Sequence, residues 1–75
     1  EAPDDALLTA VLVKLFADRQ LAIPPALIDW LTLRMDRSLA AARALVARLD
    51  AEALSQQRPI TRSLAAQVLQ HLDTA

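Results

Sequence analysis

A chain of 75 residues without a single glycine lacks the residue that most readily supplies left-handed backbone. What remains is rich in Ala, Leu, Arg and Gln, and no segment alternates β-branched with polar residues. The expected fold is all-α, a small four-helix bundle. Hydrophobic residues make up 55% and charged residues 23%, the balance of a folded chain. A chain this short holds one core, so residues 1–75 are expected to form a single helical domain.

Four amphipathic stretches follow one another. Leu8, Val11, Leu12, Leu15 and Phe16 recur at steps of three and four, which predicts a first helix from Asp4 to Asp18 with Pro3, Asp4 and Asp5 at its positive end. Pro24 and Pro25 cannot continue that helix but open a second, to Arg34, with Leu27, Ile28, Leu31 and Met35 inward. Trp30 falls about 100° from the centre of that stripe, hence at an edge. Asp36 reads as the N-cap of a third and longest helix, with Leu39, Ala42, Val46, Leu49 and Ala53 on one face and small alanines that let neighbours approach. After the polar run Ser55 to Arg58 and Pro59, Thr61 caps a fourth helix to Leu72, with Ile60 as its apolar staple and Leu64, Val68, Leu69 and Leu72 inward. No glycine being present, Gln20 is expected to take the left-handed position that ends the first helix, at up to about 1 kcal/mol.

The chemical inventory is thin. Without cysteine there are no disulfides, thiolate metal sites or cysteine nucleophiles, and a reducing, cytoplasmic setting is expected. One histidine, no tyrosine and carboxylates scattered over helix ends do not make an autonomous active site, so this chain alone is not expected to be an enzyme. His71 reads as structural or exposed rather than as a metal ligand, there being no second histidine. A phosphate-cradling loop needs glycine, so nucleotide binding would have to be shared with another domain. No apolar run approaches the roughly 18 residues that span a bilayer, and no membrane association is expected.

Charge is unevenly spread, although the net charge is only −1. Residues 1–18 hold four acids and one lysine, whereas Arg19 to Arg62 contains seven arginines against four acids. Arg37 and Arg48, eleven residues apart, would share a helix face directed away from the apolar stripe. Arg48 reads as a solvated surface residue. Arg37 and Arg43 lie near a helix N-terminus that is able to face an anion.

The segments Glu1-Ala2-Pro3-Asp4-Asp5-Ala6-Leu7-Leu8, Lys14-Leu15-Phe16-Ala17-Asp18-Arg19-Gln20-Leu21, Ile23-Pro24, Arg34-Met35-Asp36-Arg37 and Arg58-Pro59-Ile60-Thr61 form a further pattern through their order and spacing. They resemble the C-terminal lid subdomain of the DnaA-related AAA+ proteins, and within that group the Hda type. Each motif alone is weak; their succession covers nearly the whole chain. The resemblance implies an upstream ATPase core that binds ADP or ATP with Mg, with the lid closing over the nucleotide. It also implies that this chain is a fragment of a replication-initiation regulator which works with DnaA and the sliding clamp to promote hydrolysis of DnaA-bound ATP. The ending His71-Leu72-Asp73-Thr74-Ala75 has no basic continuation toward a DNA-binding domain, which favours the Hda type, and no direct DNA binding is expected.

One position departs from the pattern. The resemblance places the lid's phosphate-sensing arginine, known as sensor 2, at Ala40, whose methyl group contacts no phosphate. Arg37 and Arg43 lie three residues to either side, each about 60° round the wheel, and are the candidate nucleotide-binding residues. A one-turn shift of the match and loss of direct sensing stand beside that substitution as alternatives. The competing reading of the whole chain is an independent helical interaction module, including a homodimer built on the small-residue third helix.

Overall fold

The structure, a computed structural model, describes residues 2–74, with side chains as far as Leu72. Glu1, where the first quoted motif begins, and Ala75, where the last one ends, lie outside the described residues. Four helices follow in order: α1 (Asp5–Asp18), α2 (Pro25–Arg34), α3 (Leu39–Gln56) and α4 (Arg62–Thr74). The described residues contain no strand, so the all-α expectation holds.

The helix starts follow capping chemistry. Asp4 precedes α1 with extended backbone, and its carboxylate accepts from the Leu7 amide at 2.8 Å. Pro24 precedes α2 and Pro25 occupies its first turn, where a missing N–H costs nothing. Thr61 caps α4: its hydroxyl accepts from the Leu64 amide at 3.3 Å and its carbonyl from the Ala65 amide at 2.9 Å. The cap of α3 is a correction. Ser38, not Asp36, takes that role, its hydroxyl accepting from the Ala41 amide at 3.0 Å. The chain leaves α2 through Met35 in extended conformation so that this side chain reaches the core, and a tight turn from the Asp36 carbonyl to the Ser38 amide uses up the next residues. The third helix therefore starts two residues later than the sequence suggests.

Both left-handed positions fall on glutamine. Gln20 ends α1 at φ 59°, as expected, and Gln57 ends α3 at φ 54°. The same double closure is made twice. Leu21 N–H donates to Phe16 O and Gln20 N–H to Ala17 O, while Arg58 N–H donates to Ala53 O and Gln57 N–H to Leu54 O. These bonds satisfy carbonyls that a helix end otherwise leaves open.

α3 is the hub. It packs against α1 and α4, and α2 packs against α1. The core joins Leu8, Leu12 and Phe16 of α1, Leu27, Ile28 and Leu31 of α2, Met35, Ala42, Leu45, Val46 and Leu49 of α3 and its approach, and Leu64, Ala65 and Val68 of α4. Val11, Leu15, Leu69 and Leu72 pack on it from the margin. Leu39 is the exception among the predicted inward residues: as the first residue of α3 it lies beyond the neighbours' reach and stays exposed, and Leu45 fills the stripe instead. Trp30 is half-buried at the core margin, where the wheel put it. Thr32 is buried, and its hydroxyl donates to the Asp29 carbonyl at 2.8 Å.

Two substitutions check this description. Leu49→Ala, at a side chain with no exposed surface, is expected to cost about 2–5 kcal/mol in urea unfolding. Gln57→Gly relieves the left-handed penalty and is expected to raise stability by up to about 1 kcal/mol, net of the extra freedom of the unfolded chain. A loss under 1 kcal/mol for the first, or destabilisation by the second, contradicts the packing or the cap.

Candidate functional site

The two candidate arginines land in different surroundings. Arg37 lies outside α3, in the corner between α2 and its Ser38 cap, so the helical-wheel relation to Arg48 does not apply. Its guanidinium pairs with Asp5 at the start of α1 and donates to the Thr32 carbonyl at 3.3 Å. Arg37 thus ties the first turn of α1 to the end of α2 and the approach to α3. Both partners of the ion pair are well exposed, which keeps its worth to at most about 1 kcal/mol. Its contribution is chiefly orientation.

Arg43 sits inside α3, three residues and about 4.5 Å along the axis beyond Ala40. Its exposed side chain borders a shallow groove between α1 and α3, whose other walls are Ala10, Val11, Lys14, Leu15 and Asp18. Lys14 is neutralised there by Asp18 at 2.9 Å. Arg43 forms no hydrogen bond or ion pair among the described residues. An arginine held on a packed helix without an internal anion is available to an external one. Ala40 itself is exposed in the first turn of α3.

The remaining basic residues near α3 are engaged. Arg19, at the end of α1, bridges to Asp50 of α3 at 2.8 Å. Arg48 donates through Nε to Glu52 at 3.2 Å, Gln56 donates to the other Glu52 oxygen at 3.1 Å, and Arg58 donates to the Gln56 side-chain oxygen at 3.2 Å. Arg48 is exposed, as expected, and the network around it lies on the surface. The Gln56 and Arg48 hydrogen bonds hold the Glu52 carboxyl below its ordinary pKa of 4.5, and the charges of Arg48 and His71 act in the same direction. His71 lies exposed near the end of α4.

Glu52 ionises more readily in the folded chain than in the unfolded one. Its contribution is therefore present above the ordinary glutamate pKa and disappears as pH falls through the lowered value. An NMR titration of the Glu52 side-chain carbonyl is expected to give a midpoint below 4.5, and Gln56→Ala is expected to move it upward. A midpoint at or above that value, unaffected by the substitution, contradicts the network.

With this geometry in place, comparison with known proteins gives one positive result. The family model described as "Hda, lid domain" matches residues 5–69, from the first residue of α1 to beyond the middle of α4. No curated protein and no solved structure gives a significant match.

Proposed function

The chain belongs to the Hda lid-domain family of the DnaA-related AAA+ proteins, and on that premise we propose that it caps a nucleotide held by an ATPase core of the same parent protein. The nucleotide is ADP or ATP with Mg, and Arg43 is the lid's phosphate-facing cation. Arg43 stands one turn from Ala40, the position to which the resemblance assigns sensing, on the same rigid helix, with no anion among the described residues to neutralise it. That is the observation which carries the reading. Arg37, engaged by Asp5 and Thr32, serves instead to fix the angle at which α1 enters the bundle.

The mechanism is a population shift. A cation on a hinged body binds phosphate only when the body is closed, so nucleotide has a higher affinity for the closed arrangement and shifts the protein toward it. α3 suits this role because it packs on both α1 and α4, so movement of Arg43 carries the bundle with it. In the parent protein this closure would present the surface that meets DnaA while the protein is loaded on the sliding clamp, promoting hydrolysis of DnaA-bound ATP and limiting re-initiation.

The test uses the full-length parent protein. Arg43→Ala is expected to weaken ADP and ATP binding by roughly tenfold, the scale of one charge-assisted phosphate contact. Arg37→Ala is expected to leave affinity within about threefold, the scale left after losing one exposed pair, while lowering thermal stability slightly. Unchanged affinity in the Arg43 variant removes the assignment, and a larger loss in the Arg37 variant reverses it.

A further inference from the structure

A second cationic feature lies between α2 and α4 and shares no residue with the groove beside Arg43. The guanidinium carbon of Arg34 stands 4.4 Å from the centroid of the Trp30 ring, and that of Arg62 stands 5.9 Å from it. Arg34 also donates to the Trp30 carbonyl at 3.3 Å, which holds its stem along the helix. The groove continues from Trp30 and Arg34 along Ala66, Leu69 and Gln70 of α4. Among the described residues Lys14, Arg19, Arg37 and Arg48 pair with carboxylates. Arg34 and Arg62 have no carboxylate partner among the described residues, yet they share one ring.

We propose that this groove is a docking surface for an acidic segment of a partner protein, carboxylates on Arg34 and Arg62 and an apolar side chain over Leu69. A guanidinium stacked on an indole gives up water from one face only, and its in-plane N–H donors stay directed outward for a carboxylate. Stacking also removes side-chain freedom before any partner arrives, so less is lost on binding. Ala66 and Leu69 supply aliphatic floor beside the charges, and Trp and Arg are the residue types on which interface energy most often concentrates. Single-stranded nucleic acid fits less well. The Arg34 guanidinium already lies over the ring on which a base would stack, with Arg62 at the outer reach of that ring, and the residues lining the groove beyond them include no further cation for a phosphate track.

The experiment titrates the full-length protein against fluorescein-labelled peptides and follows anisotropy. One peptide alternates Glu with Leu, its counterpart alternates Gln with Leu, and an oligothymidylate of similar length serves as the third probe. The proposal expects the Glu peptide to bind at least roughly tenfold more tightly than the Gln peptide, with Arg34→Ala and Arg62→Ala each erasing roughly that factor. Arg62→Lys is expected to recover only part of it, because an ammonium makes no bidentate contact. Helix content and ADP affinity of the Arg62 variants, checked in parallel, should match the parent's. Equal binding of the Gln peptide, no binding of the Glu peptide, or indifference to both substitutions overturns the proposal. Tighter binding of the oligothymidylate overturns it in favour of nucleic acid, and a dimer in sedimentation that Arg62→Ala dissociates overturns it in favour of a second copy of this chain.

Discussion

Everything in this bundle is referred to the buried face of α3, where Ala42, Leu45, Val46 and Leu49 meet α1 on one side and α4 on the other. Four helices of 10 to 18 residues draw most of their stability from tertiary packing, so they hold by burying their stripes together. Small residues keep the side-chain bulk of the core low: Ala42 of α3 and Ala65 of α4 are fully buried. Because Ala40, Arg43 and Arg48 ride on that same helix, the core that stabilises the fold also fixes where the chain's cations lie.

Electrostatics then sorts those cations. The pairs Arg19–Asp50 and Arg37–Asp5 join elements far apart in sequence, and their exposure makes each a locator rather than a source of stability. Once these and the helical pairs Lys14–Asp18 and Arg48–Glu52 are assigned, the arginines without a carboxylate partner among the described residues are Arg34 and Arg62 around Trp30, Arg43 beside the α1–α3 groove, and Arg58 on a glutamine amide. With a net charge of −1 the chain has acids enough to cover more arginines than are paired among the described residues. Both functional assignments rest on that selective lack of pairing.

Most of the fold was legible because the constraints were local. Prolines at 24 and 25, Asp4 and Thr61 as caps, and apolar steps of three and four fixed four helices to within a few residues. The left-handed Gln20 follows from having no glycine; Gln57 obeys the same rule, but the polar run Ser55 to Arg58 carries no local mark of the turn at which α3 stops. Asp36 and Ser38 are both good caps; only the need to turn Met35 into the core decides between them, and that is a tertiary demand. The site was less legible for the same reason. Spacing put Arg37 and Arg43 symmetrically about Ala40, whereas the ion pair of Arg37 with Asp5, 32 residues away, sets them apart and leaves no local trace.

The central claim is that a cation on α3 touches the nucleotide when the lid closes. A structure of the intact parent protein with ADP tests it most directly. The account places an Arg43 nitrogen within about 3 Å of a phosphate oxygen, with Arg37 still held by Asp5. Phosphates contacted solely by the ATPase core, with Arg43 turned to solvent, would contradict it.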